Sequence, residues 1–355
     1  MSDPVEDLLD APDAPSAPPR RKRPWVKFLK LALLLLVVGL VGWAMVKQWR
    51  LLAANDVEVH VRILPLIAAL ASLVAVACVQ LLSYRMLLAA YAKAPRWRNM
   101  PTIAWVPAMG KYVPAAAPVA ATALLNRFGV PLAPAIAVVL TLDGLAVLAG
   151  LITGVPLLMW QPIAKNLPFS WLIAVPVIVC GMLCLLPAVF AGLLNFLLRK
   201  LKKQPLARTP SLVEFIVPVS CAFAQWLFSG LALLFIVMSV RSDTSAALWS
   251  KLPLLICFAA LSQTVGYLAV FAPGGFGVRE AILLACFTPL PGVGPLAAVI
   301  VPIRAIMQIV LELSLASVGL ILARLVPSSG VAVEGLKGTQ MNADRNWEEE
   351  EEEEE

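Results

Sequence analysis

Apolar runs of helix length recur from about residue 27 to about residue 325 of this 355-residue chain, and few of the side chains within them are charged. A helix needs roughly 20 consecutive apolar residues to cross about 30 Å of hydrocarbon. The runs at about 27–46, 63–84, 133–159, 171–198, 212–240, 252–271 and 296–324 approach or exceed that length. Charged residues make up 14% of the chain and hydrophobic ones 60%, whereas soluble domains carry roughly 25% charged residues. An integral membrane protein is implied. The runs are too long, and too free of alternation, for the strands of a membrane β-barrel. The expected fold class is all-α, a polytopic membrane helix bundle with about seven or eight spans.

Two of the apolar regions are interrupted. The later one contains Pro273-Gly274-Gly275-Phe276-Gly277-Val278-Arg279-Glu280, and the earlier one, 99–131, contains Pro101, Pro107, Gly110-Lys111-Tyr112-Val113-Pro114, Pro118 and Pro131. Proline removes a backbone donor and glycine weakens helix propensity, so both regions should break. Unpaired backbone groups at membrane depth are tolerated only where protein or a water-filled cavity surrounds them. Two broken or re-entrant segments are therefore expected. Paired breaks in the two halves of a chain mark the binding site of many transporters; two unrelated proline kinks would leave the same pattern. Whether Ala281 to Thr288 crosses or re-enters decides between seven and eight spans and sets the side of the C-terminus.

Charges inside the membrane are costly and usually functional. Arg279 and Glu280 are adjacent, so on a helix they point about 100° apart and need not pair. Glu280 lies in the first turn after the glycines, where a carboxylate favours the helix dipole. Arg279 carries a planar fork suited to a phosphate, or to an acid such as Asp143 or Glu312. Asp143 sits about ten residues into its helix. Arg304 and Glu312 are eight apart and share a face; mutual neutralisation and an ion relay are both open for them. Lys111 and Tyr112 sit at the earlier break, where snorkelling to the interface and headgroup contact are the two readings.

The flanks carry topology. Residues 1–26 read as a disordered basic arm ending near Arg20-Arg21-Lys22-Arg23, which places the N-terminus in the cytoplasm. Arg199-Lys200-Leu201-Lys202-Lys203 marks a second cytoplasmic loop. Residues 27–326 form the transmembrane domain, and 327–355 a disordered acidic tail whose last eight residues are all Glu. Without those eight, the 22 acids fall to 14 against 28 bases, so the formal +6 understates the basic character. The bases gather at helix ends and form no stripe interleaved with aromatics, so nucleic acid is not an expected partner.

The six cysteines all lie in apolar segments and His60 is the single histidine. Neither metal nor catalytic-triad chemistry is expected. No phosphate-binding Gly-x-x-x-x-Gly-Lys-Ser/Thr loop occurs. We expect no enzyme activity and no cofactor, and transport, if present, would be passive or ion-coupled.

The segment Pro273 to Ala281 resembles the Pro-Gly-Gly-Leu/Ile-Gly-x-Arg-Glu-Ala signature of the flippase-like membrane family named after the transmembrane region of lysylphosphatidylglycerol synthase. Gly110-Lys111-Tyr112-Val113-Pro114 is similar to that family's Gly-Lys-Tyr-Leu/Val-Pro-Gly motif, and Asn126-Arg127-Phe128-Gly129-Val130 follows as in the family. Together the motifs cover roughly residues 30 to 325. The family's Gly after Lys-Tyr-x-Pro is Ala115 here, and the Arg often found three residues before the acid matched by Asp143 is Leu140. No aminoacyl-transferase or glycosyltransferase domain accompanies these motifs.

The resemblance implies a multi-pass inner-membrane protein that moves or binds a lipid with an anionic or phosphate-bearing head. An aminoacylated phospholipid, a polyprenyl-phosphate-linked sugar and a hopanoid are the candidates. The alternative is a non-transporting scaffold or regulator of a lipid-modifying or glycosyltransferase enzyme. The expected substrate-binding residues are Lys111, Tyr112, Pro114, Asn126, Arg127 and Asp143 around the first break, with Gly274, Gly275, Gly277, Arg279, Glu280, Arg304 and Glu312 around the second. Oligomeric state has no signal in the sequence.

Overall fold

A computed structural model describes residues 61–325, apart from 93, 113–115, 161–164, 166–168, 201–209, 241–245 and 270–271, together with isolated positions between 39 and 50. The expected first span, the basic arm, the acidic tail and Pro114 lie outside the described residues. The described residues form helices and contain no strand.

The longest helices fall on the apolar runs. Helix α1 spans Ile63–Tyr91. After it come the short helix α2, Met100–Trp105, a 3₁₀ turn at Val106–Tyr112, and α3, Ala116–Arg127. The proline-rich region is thus divided into short pieces, as its composition requires. Helix α4, Leu132–Gly154, continues as a 3₁₀ turn to Met159. Four stretches, Ile63–Tyr91, Leu132–Met159, Leu212–Val240 and Gly294–Arg324, are long and apolar enough to cross a membrane. The protein is a multi-pass membrane protein.

The run at 171–198, expected as one span, is instead two helices, α5 (Ser170–Cys184) and α6 (Pro187–Lys200), bent by 87°. Pro187 favours the break: it cannot donate to the preceding turn, and its ring disfavours helical geometry at the residue before it. Proline is well suited to open a helix, so α6 starts there. At 15 and 14 residues, each piece is about 22 Å long, short of a crossing by itself.

Helix α7 spans Leu212–Val240, α8 is the single turn Ala246–Trp249, and α9 runs Leu252–Leu268. Helix α9 is wedged between α4 and α7. A Cβ on Gly154 of α4 would stand 2.8 Å from the Leu261 nitrogen, and one on Gly230 of α7 would stand 2.7 Å from the Ile256 Cα. Side-chain-free positions on both neighbours let the backbones come this close.

Beyond the second break, α10 spans Val278–Phe287 and α11 spans Ala297–Leu325. The ten residues of α10 reach about 15 Å, too little for the Ala281 to Thr288 segment to cross as a helix. Phe287 of α10 is fully buried against Phe258 of α9, ring centroids 5.4 Å apart, and Trp160 stacks edge-on to Phe258 at 5.9 Å. Large apolar side chains such as Leu64, Ile173, Phe196, Val213 and Ile321 remain exposed on the outside. That pattern suits a bundle whose solvent is lipid.

Candidate functional site

The two breaks meet. Pro273–Gly275 forms a 3₁₀ turn with Gly274 at φ 61° and Gly275 at φ 70°, a left-handed region that residues with a Cβ avoid. A Cβ on Gly275 would stand 2.6 Å from the Gly266 carbonyl, so this turn lies directly on the end of α9. On its other side Gly274 abuts the first break: a Cβ there would come 3.3 Å from the Lys111 carbonyl oxygen. The non-helical backbone of Gly274 and Gly275 is thus covered by protein on both sides, the condition under which such backbone survives inside a membrane.

Gly277, at φ 86°, starts α10. Its N–H donates to Glu280 Oε2 at 2.7 Å, so the carboxylate caps an otherwise unpaired donor of the first turn. The other carboxylate oxygen takes Arg279, with Nε at 2.7 Å and Nη2 at 2.6 Å. The expectation that these neighbours need not pair is corrected here. They sit at the start of the helix, and the long arginine side chain folds back around the first turn to reach Oε1. Both residues are buried, and Arg279 Nη1 also donates to Gln263 Oε1 of α9 at 3.4 Å. The acid that Arg279 holds is Glu280 rather than Asp143 or Glu312.

A cavity of about 490 Å³ opens beside the meeting point. Its walls are mostly apolar and come from α1, α2, α3, α4, α7, α9 and α11 as well as both breaks. A charged row runs along it. Arg304 Nη1 donates to Gln308 Oε1 at 3.1 Å, Gln308 Nε2 donates to Glu312 Oε1 at 2.9 Å, and Lys111 Nζ pairs with the same oxygen at 3.4 Å. Arg304 and Glu312 do share a face of α11, but they are joined through Gln308, one turn from each, rather than in contact. On the α4 wall Asp143 is open to the cavity. Gln80 of α1 donates to Gln225 of α7 at 3.2 Å, and both line the cavity.

Of the residues singled out in the sequence, Lys111, Asp143, Gly274, Gly275, Arg304 and Glu312 line this cavity. Gly277, Arg279 and Glu280 are not among its lining residues; they stand behind Gln263, which is. Tyr112 is at the end of the first 3₁₀ turn.

Asn126 and Arg127 are exposed at the C-terminal end of α3 and are not among the lining residues. Their motif ends the helix. Val130 N–H donates to the Leu125 carbonyl and Gly129 N–H to the Asn126 carbonyl, both at 3.0 Å, with Gly129 at φ 81°. This is the Schellman arrangement, and Leu125 and Val130 supply its buried apolar contact.

Sequence reasoning passed over Gln308, Gln263, Gln225 and Gln80. A signal existed only for Gln308, which lies four residues from both Arg304 and Glu312. The others gain meaning from neighbours on distant helices.

A family model described as lysylphosphatidylglycerol synthase TM region matches residues 27–313. A search of curated proteins gives no match.

Proposed function

Since the chain belongs to the family of the lysylphosphatidylglycerol synthase transmembrane region, we propose that it is a lipid transporter of the flippase type, carrying a phosphate-bearing headgroup through the charged cavity. The observation that carries this reading is the Lys111–Glu312 ion pair, 3.4 Å across, placed at the contact of two broken segments inside an apolar bundle. A membrane bundle needs neither the breaks nor the charges in order to fold. Both are costly at this depth, and both are what a polar headgroup requires on its way between leaflets. The headgroup occupies the cavity while the acyl chains stay against the apolar outer surface of the helices.

In this reading the bundle has seven spans in the inner membrane, α10 not being one of them, with its N-terminus in the cytoplasm, and works as a carrier rather than an enzyme. Lys111, Asp143, Arg304 and Glu312 act on the headgroup. Arg279 and Glu280 hold the second break in shape.

The test is leaflet exchange in proteoliposomes containing the full chain and acyl-labelled phospholipids, read by quenching of the outer leaflet. Protein-dependent loss of protected label, slowed about tenfold or more in Lys111→Gln, is the expected result. Lipid that binds but never changes leaflet would overturn the transport reading in favour of a scaffold for a lipid-modifying enzyme.

A further inference from the structure

Six charged side chains stand around the two breaks, and they are unevenly matched. Arg279 pairs with Glu280 and Lys111 pairs with Glu312. Asp143 and Arg304 remain. Among the described residues Asp143 has no hydrogen bond or ion pair, although it is open to the cavity, and Lys111 acts on it only from beyond ion-pair distance. Arg304 is 2% exposed and, among the described residues, bonds only to the neutral Gln308 and leaves its buried Nε with no partner. Glu280 and Glu312 act on it from beyond ion-pair distance, and Arg279 opposes them. Asp143 and Arg304 line the same cavity and do not pair with each other.

A charge without a contacting partner is costly inside an apolar bundle, and the other two cations each have such a partner. The two left over have opposite signs. A ligand that completes the site must therefore bring one anion and one cation, in one headgroup. A guanidinium suits a phosphate, and a carboxylate suits a protonated amine. Neutral groups around them, among them Gln225, Ser229 and Tyr267, can take up the remaining polar atoms.

Resting on the carrier reading above, we propose that the cavity selects a net-neutral zwitterionic phospholipid, its phosphate held at Arg304 and its protonated amine at Asp143. A purely anionic headgroup would satisfy Arg304 and leave Asp143 facing negative charge. A sugar would satisfy neither.

The experiment compares acyl-labelled phosphatidylethanolamine and phosphatidylglycerol, both for leaflet exchange in proteoliposomes and for retention by the detergent-purified full chain in native mass spectrometry. The expected preference for the ethanolamine lipid is about tenfold, the effect of one charge-assisted contact. Asp143→Asn should erase that preference by lowering ethanolamine lipid handling far more than glycerol lipid handling. Asp143→Glu should restore it, and Arg304→Gln should lower both lipids together.

Equal handling of the two lipids by the unaltered chain would overturn the proposal while leaving the carrier reading intact. So would an Asp143→Asn variant that loses both lipids equally and is not rescued by Glu. If no lipid changes leaflet, the carrier reading fails, and retention alone decides the headgroup: a glycerol lipid retained as well as the ethanolamine lipid would then refute the proposal.

Discussion

The backbone of Gly274 rests on the carbonyl of Lys111, so close that a Cβ on the glycine would lie 3.3 Å from that oxygen. This contact joins the two interruptions of the bundle and puts the Lys111 side chain beside the cavity with Glu312 as its partner. The geometry of the later break therefore helps to set the position of the earlier one.

Substituting the turn itself tests that dependence. Gly275→Ala places a Cβ 2.6 Å from the Gly266 carbonyl at a φ of 70°, and should cost about 2 kcal/mol or more through strain and displacement of α9. Gly192→Ala, in α6 with nothing within 4 Å of the new Cβ, should be neutral or stabilise by up to about 1 kcal/mol. Thermal unfolding of the two variants in one detergent compares them. Equal midpoints would show that the Gly275–Gly266 approach does not constrain the fold.

At the start of α10 the ion pair should matter through stability first. Glu280→Gln leaves the buried Arg279 without its counter-charge, and a loss of about 3–5 kcal/mol is expected for such a break. Arg279→Lys keeps the charge but replaces two donors on Oε1 with one, so a smaller loss of about 1–2 kcal/mol is expected. Denaturation midpoints order the variants. A lysine variant as unstable as Glu280→Gln would refute the role assigned to the charge.

In the cavity, Lys111→Gln and Glu312→Gln each remove one charge of a pair that is partly open, with side-chain exposures of 31% and 16%. Each should lower leaflet exchange about tenfold or more, since one charge-assisted contact is worth that factor. The double variant should lose less than the product of the two single effects. Strict multiplicativity in the exchange assay would mean that the two residues act separately.

The Asn-Arg-Phe-Gly-Val motif gives a contrasting case. Arg127→Ala, at an exposed helix end, should leave exchange unchanged and stability within about 0.5 kcal/mol. Gly129→Ala should cost about 1 kcal/mol, because its φ of 81° disfavours any Cβ even though nothing lies within 4 Å. If Arg127→Ala instead abolished exchange with the fold intact, the motif would belong to the binding site as its sequence first suggested.

Much could be read from the order of residues alone. Hydrocarbon leaves no water to satisfy an open backbone, so long apolar runs have to be helices, and Pro and Gly clusters within them have to be breaks shielded by protein. That reasoning predicted the helices α1, α4, α7 and α11, the fragmentation of 99–131, and the interruption at Pro273–Gly277, and it picked out Lys111, Asp143, Arg304 and Glu312 as charges needing an explanation. Pro187 was equally visible, but the bend it favours depends on what α5 and α6 pack against.

Only the tertiary structure decided which charges answer one another. The helices are apolar nearly all round, so hydrophobic periodicity says little about how each is rotated, and a residue's facing direction is set by its neighbours. Gly266, Gly274 and Gly275 permit close backbone approaches that no local pattern specifies. In that packing Arg279 turns to Glu280, Lys111 meets Glu312, and Asp143 and Arg304 are left opposite in sign and without each other on the walls of one cavity.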